Sequence, residues 1–423
     1  MKHLFCVLCV LALFSHSSFN LAALAAEPYW NQFRGPNSDN HSASTGIAKS
    51  WSAEGPNVLW TAQNLGRGYS SISIYGDRIF TMGDFNIDGA WHNYVIAINR
   101  ANGEELWRTR TGRGGDGGGN HPSPLSTPAT DGESVFVMSQ FGDFVALNAA
   151  NGAIRWRKNM PSEYGAVRMA SWGFSMSPII DGDKVLLPIG GEGGTLAAFS
   201  KDGELLWRTY WITDRVAYTS VVPVEIEGVR QYMLLTGQRL VGVSTEGEFL
   251  WGANFPGSRA TCSDPVISGN VIMASQAYTV GAYFYRISRS GDRFSLDYFH
   301  GPDTTLQSHH GGMVAVGDYI YLLTSGRDLA CVRAATGEVV WRHRSVGTQG
   351  SLTYVDGMLI LRSERDGATI ALVEATPEGY RERGRFDQPY RSDGSRSAWA
   401  YPVVFDNRLY IRDDNVLICF DLN

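Results

Sequence analysis

The chain has 423 residues, a formal net charge of −6 and no basic patch, which argues against a nucleic-acid partner. Hydrophobic residues make up 43% and charged residues 18%, and there are 48 glycines, a composition typical of a globular all-β protein. The length exceeds that of a usual single domain, so either several domains or one large repeated unit must account for it.

The first 25 residues have the features of a secretory signal peptide. Lys2 and His3 precede an apolar run over residues 4–14, and Ala23-Leu-Ala25 supplies a small-x-small cleavage pattern. The apolar run is too short for a good membrane span. Its cysteines do not stand where a lipoprotein cleavage motif would place them. We therefore predict a soluble periplasmic or secreted protein with no transmembrane segment.

Residues 26–56 precede the first repeat and contain an aromatic motif, Trp30-Asn-Gln-Phe-Arg-Gly-Pro-Asn37, followed by a run rich in Ser, Thr and Gly. We interpret this stretch, called the lead-in below, as a segment anchored by its aromatic residues across the repeated domain. That domain is predicted to occupy residues 57–423.

The repeat is an alternating strand, a tight turn containing Gly, and a second strand that ends on Trp. The best copy runs from Tyr94 to Trp107, with Asn102-Gly103 as a hairpin turn. In five copies Gly stands four residues before Trp: Gly103/Trp107, Gly152/Trp156, Gly203/Trp207, Gly247/Trp251 and Gly337/Trp341. The hairpin over residues 284–296 has the same shape without Trp. A period between about 40 and 50 residues indicates a β-propeller.

Each repeat also has an earlier hairpin, such as that over residues 127–138, and about eight such hairpins can be counted. We predict an all-β, eight-bladed propeller with four antiparallel strands per blade, and seven blades as the alternative. The chain ends one strand after its last inner hairpin, at residues 416–420. Pairing of that strand with residues 57–60 would close the ring and remove an exposed edge.

The repeated tryptophans have two interpretations. Each indole either packs between neighbouring blades with its N–H satisfied, or belongs to a ligand platform. We predict the structural role, because a ligand site has no reason to recur five times. Cys331 and Cys419 fall in strand patterns and are predicted to be buried thiols. With Cys262 they show no metal-ligand spacing.

Two stretches depart from the repeat. Residues 111–124 are rich in Gly, and we interpret them as a loop at one mouth of the channel. A phosphate cradle would require a helix N-terminus behind the glycines, and none is predicted. Residues 374–398, rich in Arg, Glu and Asp, are predicted to form the exposed outer edge of the seventh blade.

Candidate site residues lie just ahead of the innermost strands, which line the central channel of a propeller. They are His121, Trp172, Arg215, Tyr218, Arg259, Asp264, His309, His310, Arg396 and Trp399.

The candidate catalytic residues are His309, His310 and Asp264. A histidine could act as a general base or a ligand, or could be a hydrogen-bonded structural residue. Adjacent side chains on a strand point opposite ways, so we expect at most one of the two histidines to face the channel. Asp264 could be a base or a cation ligand, although Asp before Pro is also common turn chemistry.

The candidate cofactor-binding residues are Trp172, Trp399, Arg215 and Arg259. The two tryptophans lie outside the repeating positions, which makes them better candidates for a ligand platform than the five docking tryptophans. Nothing in the spacing of the residues defines a metal site.

The pattern Ala-x-(Asn/Asp)-x-x-(Asn/Thr)-Gly-x-x-x-Trp, matched best over residues 97–107 and 146–156, resembles the tryptophan-docking repeats of the pyrroloquinoline quinone (PQQ)-like β-propeller family. The motif at Trp30 is similar to the opening of exported PQQ-like repeat proteins of planctomycete-type bacteria. Those proteins are often labelled as related to polyvinyl-alcohol dehydrogenase. The resemblance covers nearly the whole mature chain and implies the propeller fold.

For activity, the resemblance implies two alternatives. Non-enzymatic members include an outer-membrane assembly lipoprotein. The dehydrogenases stack PQQ on Trp, often beside a Cys-Cys disulfide, with Ca²⁺ held by carboxylate and amide oxygens and an Asp as base. This chain lacks an adjacent cysteine pair after the signal peptide, a haem-attachment motif and a lipidation motif.

Two hypotheses follow. The first is an exported binding or scaffold propeller whose funnel or rim holds a partner protein or a glycan. The second is a PQQ- and Ca²⁺-dependent alcohol or sugar dehydrogenase. It would have the quinone over Trp172 or Trp399 and a proton acceptor at Asp264, His309 or His310. We favour the first. Retention of PQQ by the purified protein would distinguish the two.

Overall fold

The computed structural model describes residues 29–116, 124–169, 172–257, 260–347, 349–365, 367–391 and 397–423. The predicted signal peptide and the candidates His121, Arg259 and Arg396 lie outside these ranges. Within them, no helix combines the length and the hydropathy that a membrane-crossing helix needs.

The chain forms eight sheets arranged in a ring, and each sheet contains one blade of four antiparallel strands. Three short strands come first: β1 (Tyr29–Trp30), β2 (His41–Ser42) and β3 (Val58–Ala62). Blade 1 contains β4 (Ser73–Tyr75), β5 (Arg78–Ile87), β6 (Ala90–Asn99) and β7 (Glu105–Arg113). Blade 2 contains β8 (Ala129–Thr130), β9 (Ser134–Met138), β10 (Asp143–Asn148) and β11 (Ile154–Asn159), followed by the short helix α1 (Met160–Tyr164). Blade 3 contains β12 (Ile179–Asp181), β13 (Lys184–Pro188), β14 (Leu196–Ser200) and β15 (Leu205–Arg208).

The second half of the ring repeats this order. Blade 4 contains β16 (Val222–Ile226), β17 (Val229–Leu235), β18 (Arg239–Ser244) and β19 (Phe249–Asn254). Blade 5 contains β20 (Val266–Ser268), β21 (Val271–Gln276), β22 (Gly281–Ser290) and β23 (Arg293–Asp303), followed by a 3₁₀ turn (Thr304–Leu306). Blade 6 contains β24 (Met313–Val316), β25 (Tyr319–Leu323), β26 (Leu329–Arg333) and β27 (Glu338–His343). Blade 7 contains β28 (Gly350–Val355), β29 (Met358–Ser363), β30 (Ile370–Glu374) and β31 (Glu382–Phe386), and blade 8 contains β32 (Val403–Phe405), β33 (Arg408–Asp413) and β34 (Val416–Asp421).

The eight-bladed prediction is confirmed, and so is the way in which the ring closes. β3 pairs antiparallel with β34 as the outermost strand of blade 8, with Trp60 opposite Cys419. The last sheet is thus made from both ends of the propeller sequence. Its outer edge gains a partner strand that the C-terminal segment does not supply.

The core lies between the blades. Most residues of the middle strands are buried, as in β9, where every residue is buried. The outermost strands have mostly exposed and half-buried positions, as in β11. Phe136 and Ala146 of blade 2 pack in one cluster with Val185 and Phe199 of blade 3, so each blade buries its apolar face against the next.

The structural role predicted for the repeated tryptophans is confirmed at all five positions, since Trp251 is also buried between blades 4 and 5 with its N–H bonded. The other four, together with Trp60, share one form of docking. Each of these indoles donates its N–H to a carbonyl oxygen in the last turn of the following blade. The pairs are Trp60 to Arg100 (3.2 Å), Trp107 to Ala149 (3.2 Å), Trp156 to Lys201 (2.8 Å), Trp207 to Thr245 (3.1 Å) and Trp341 to Thr376 (3.0 Å).

Glycine is required where the indole meets that turn. A Cβ at Gly152 would lie 2.5 Å from the Trp107 ring and one at Gly247 would lie 2.7 Å from Trp207, and both glycines have positive φ. The residue opposite each Trp is small, and two of these residues are Cys331 and Cys419, the predicted buried free thiols.

Three blades depart from this docking. Trp251 in blade 4 instead donates to Gln231 of its own blade at 2.5 Å. In blade 5 the position is taken by His300, which packs on Gly337 of blade 6. In blade 7 it is Gly384, where Trp51 from the lead-in fills the space. The outer edge of that blade is β31, within the stretch predicted for it.

The lead-in crosses the end of the channel where the innermost strands finish. β1 adds to the inner strand of blade 1, and β2 adds in parallel to the inner strand of blade 7. Between them, Arg34 is buried in the channel, where it donates to the carbonyl oxygen of Met313 at 2.8 Å. This end of the channel is therefore occupied by the protein's own N-terminal segment.

Candidate functional site

The opposite end of the channel, where the innermost strands begin, holds a cavity of about 160 Å³ that we call the channel pocket. Its described lining residues are Phe33, Tyr69, Ser71, Leu125, Thr127, Trp172, Ser175, Ser177, Tyr218, Ser220, Ala260, Cys262, Tyr278, His309, His310, Trp399, Ala400 and Tyr401. They come from the segments that enter the inner strands, from one loop of blade 5, and from Phe33 of the lead-in.

Half of the ten candidate site residues meet in this pocket. They are Trp172, Tyr218, His309, His310 and Trp399. Arg215 is exposed and is not among the lining residues. The cofactor-binding role of Arg215, and the catalytic or cofactor-binding roles of the other candidates, stay predictions.

Aromatic rings form the walls of the pocket. Trp172 lies 5.8 Å from Tyr218 between ring centroids, and Trp399 lies 4.6 Å from Tyr69. Burial raises the pKa of Tyr218 to about 12, so its phenol is neutral at physiological pH. The walls therefore present apolar ring faces with polar tips, which suits an uncharged, partly apolar group.

Hydroxyl groups form much of the rest of the pocket in a regular pattern that we call the hydroxyl chain. At four successive positions, a backbone N–H ahead of an inner strand donates to a side-chain oxygen on the next blade. The links run from Ser71 to Thr127 (3.2 Å), Thr127 to Ser177 (2.9 Å), Ser177 to Ser220 (2.9 Å) and Ser220 to Asp264 (2.8 Å). The chain joins blades 1 to 5 around the channel.

Asp264 ends the hydroxyl chain and does not line the pocket. One carboxylate oxygen accepts the Ser220 N–H, and the other pairs with the Arg34 guanidinium at 3.4 Å. Burial raises the pKa of this carboxyl group, while Arg34 acts in the opposite sense. The geometry gives Asp264 a structural contact with the lead-in, and a role as a base stays a prediction.

The expectation that at most one histidine of the pair faces the channel is wrong. His309 and His310 lie in a bend before β24 rather than on a strand, so the alternation of a strand does not apply, and both line the pocket. Their Nδ1 atoms are 3.0 Å apart, and His309 Nε2 is 2.9 Å from the Tyr278 hydroxyl.

The two glycines after the pair explain the bend. A Cβ at Gly311 would lie 1.5 Å from the Gly350 carbonyl oxygen of blade 7, so only glycine allows this approach. Gly312 has a φ of 67°, which favours glycine. Blade 6 thereby brings His310 against the neighbouring blade.

Glu364, which follows β29 in blade 7, also belongs to this site and was not among the residues predicted from the sequence. Its Oε2 lies 3.6 Å from His310 Nδ1, and its side chain is only 7% exposed. Its Oε1 accepts from the Ser397 hydroxyl at 3.1 Å and lies 3.4 Å from Arg365 Nε. His309, His310 and Glu364, which we call the His-His-Glu cluster, are three metal-ligating residue types in one place.

The described residues do not fit PQQ in the channel pocket. PQQ carries three carboxyl groups, and none of the described lining residues is Arg or Lys, so its charges would be buried without partners. The His-His-Glu cluster also does not fit Ca²⁺, which takes six to eight oxygen ligands, whereas two of these three ligands are imidazole nitrogens.

The fold and the pocket together define a class of protein, an eight-bladed PQQ-like repeat propeller with a pocket at one end of its channel. A family model described as "Outer membrane protein assembly factor BamB" matches residues 92–309 and 286–378, which is more than half of the chain. The chain belongs to this family.

Individual relatives are distant. The chain is 26% identical over 165 residues to outer membrane protein assembly factor BamB of Yersinia pestis, a match that covers 37% of this chain and 38% of that protein. The fold is similar to that of BamB from Moraxella catarrhalis, with a TM-score of 0.58, 15% identity, and coverage of 86% of this chain and 99% of that chain. It is also similar to a quinohemoprotein alcohol dehydrogenase from Pseudomonas putida HK5, with a TM-score of 0.65, 13% identity, and coverage of 93% and 80%. These likenesses show the fold.

Proposed function

We propose that the protein is an exported binding propeller whose channel pocket receives one uncharged, ring-sized group presented by a partner protein. The observation that carries the proposal is the pocket itself. Its volume of about 160 Å³ is close to that of a cavity that binds one benzene ring, and its described lining contains no Arg, Lys, Asp or Glu. An aromatic side chain fits both the volume and the apolar walls.

Two further observations support this function. The relative from Yersinia pestis is named as an assembly factor, and such a factor acts on other proteins, although the match covers only part of its length. The N-terminal sequence, with its short apolar run and small-x-small pattern, supports export.

Site-specific photo-crosslinking in the producing cells tests the proposal. A benzophenone amino acid replaces Leu125, which lines the pocket and has no charged or hydrogen-bonding side chain to lose. The matched control replaces Leu206 on β15, which is 45% exposed on the outer rim of blade 3. We expect a discrete protein adduct from position 125, lost in a Trp399→Ala background, and none from position 206.

Three results would contradict the proposal. They are equal adducts from positions 125 and 206, an adduct with a glycan and no protein, and stoichiometric retention of PQQ by the purified protein in the presence of Ca²⁺. The last result would restore the dehydrogenase hypothesis.

Fractionation of the same cells tests export, since the mature chain should leave the cytoplasm with its first residues removed.

A further inference from the structure

We propose that His309, His310 and Glu364 form a binding site for a divalent first-row transition-metal ion such as Zn²⁺, on the wall of the channel pocket. The ligand atoms would be the two Nδ1 atoms and Glu364 Oε2. This inference is independent of the partner protein proposed above, because it depends on these three side chains alone.

The distances between the ligand atoms match one shared ion. All three lie within 4.8 Å of one another. The Nδ1 atoms are 3.0 Å apart, and His310 Nδ1 is 3.6 Å from Glu364 Oε2. Ligands bound tetrahedrally at about 2.0–2.1 Å from Zn²⁺ are separated by roughly 3.4 Å. The two observed separations lie on either side of this value.

The electrostatics of the cluster also favour a cation. Glu364 Oε2 is buried and, among the described residues, has no hydrogen-bond donor within reach. The nearest ring nitrogen, His310 Nδ1, lies 3.6 Å from this oxygen. Metal ligands must be neutral imidazoles and ionised carboxylates. A bound ion would give Glu364 Oε2 a partner, while Arg365 pairs with the other carboxylate oxygen at 3.4 Å.

Hydrogen bonds from neighbouring groups hold two of the three side chains in place. His309 Nε2 lies 2.9 Å from the Tyr278 hydroxyl, and Ser397 donates to Glu364 Oε1 at 3.1 Å. Metal-binding histidines usually donate their second ring N–H to an oxygen, and metal-binding carboxylates are hydrogen-bonded in turn. The close packing of Gly311 on Gly350 fixes the distance between blades 6 and 7.

The donor set indicates the class of metal. Two imidazole nitrogens and one carboxylate oxygen suit Zn²⁺ and its first-row neighbours, and three protein ligands leave positions for other donors. Both histidines line the pocket, so the ion would lie beside it. The site would therefore bind a water molecule, or an oxygen or nitrogen donor of a group that enters the pocket.

Calorimetric titration with ZnCl₂ of the purified, chelator-stripped chain tests the site. We expect one ion per chain with micromolar or tighter affinity. His309→Gln and Glu364→Gln should each weaken binding on the order of 100-fold. His343→Gln is the matched control, because His343 is an exposed histidine stacked on Tyr380, and it should leave the affinity unchanged.

Absorption spectra with CoCl₂ give a second readout. Bound Co²⁺ should show visible bands of a low-coordinate nitrogen and oxygen site in the parent and the His343→Gln variant, and these bands should be absent in the two ligand variants. Circular dichroism checks that each variant folds. No binding by the parent, or equal affinity in Glu364→Gln and the parent, would overturn the proposal. Absence of crosslinks from position 125 would contradict the proposed function but not the metal site, because the titrations measure metal binding directly.

Discussion

The wall of the central channel has two unlike halves. In blades 1 to 5 the hydroxyl chain joins each inner strand to the next and ends at Asp264, whose charge is balanced by Arg34. In blades 6 to 8 the corresponding segments carry the Gly311-Gly312 pair, the two histidines and Tyr401, whose hydroxyl donates to the His310 carbonyl oxygen at 2.6 Å.

The two halves differ in how the polar groups of the wall are paired. In the first half the described polar groups of the hydroxyl chain satisfy each other. In the second half a buried carboxylate oxygen and two imidazoles converge on the pocket without closing into such a chain. Buried polar groups that the fold does not satisfy are costly, and they are where a functional site is expected.

The largest expected effect is at the end of the first half. Asp264→Ala should lower the free energy of unfolding by about 3–5 kcal/mol, because it leaves the buried Arg34 without its counter-ion. Urea unfolding of the purified protein measures this loss. Asp292→Ala, at a fully exposed position, is the control and should change stability by less than about 0.5 kcal/mol. A loss below about 1 kcal/mol for Asp264→Ala would show that the pair does not hold the lead-in.

The next effect concerns the junction between blades 6 and 7. Gly311→Ala should cost about 2–3 kcal/mol, because the new methyl group would collide with the Gly350 carbonyl. It should also weaken Zn²⁺ binding, since it moves the histidines relative to Glu364. Gly326→Ala, where an added Cβ meets nothing closer than 3.3 Å, should leave both unchanged. Parent-like stability and metal affinity for Gly311→Ala would mean that the bend is not set by this contact.

A matched pair of serines compares the halves directly. Ser177→Ala should cost about 1–3 kcal/mol, because it strips the buried Thr127 N–H of its acceptor. Ser351 in blade 7 is equally buried, but its hydroxyl has no hydrogen-bond partner among the described residues, so Ser351→Ala should be close to neutral. Thermal and urea unfolding check both variants. Equal losses would show that the two halves are held in the same way.

The smallest effect should be the same in both halves. Trp156→Phe and Trp341→Phe each remove one indole hydrogen bond to the next blade, and each should cost about 1 kcal/mol. The same unfolding assay compares them. A difference greater than about 1 kcal/mol between the two would mean that the outer docking, like the inner wall, differs around the ring.

The sequence predicted the fold well because the fold is repetitive. The Gly-Trp spacing recurs in five hairpins, so one hairpin identified the others, and the unpaired strand at Trp60 showed where the ring closes. His300 and Gly384 could not be identified as substitutes for Trp, because what replaces each indole depends on contacts with Gly337 and with Trp51.

The site was predictable only in part. Trp172, Trp399 and the histidine pair stood out because they lie ahead of inner strands and outside the repeat. Glu364 gave no such signal, since it follows a different strand of the next blade and no motif spacing links it to His310. The bend at the histidines could have been inferred from Gly311-Gly312, which a regular strand would not favour.

The lead-in has a consequence for how the molecule assembles. Arg34 contacts Asp264 and Met313, which are 230 and 279 residues further along the chain. Such contacts raise the contact order, because they join residues far apart in the sequence. The chain loses conformational entropy when it brings these residues together, before the contacts contribute any favourable energy. The lead-in therefore cannot dock until the later blades exist, and its insertion is a late event that follows synthesis of most of the chain.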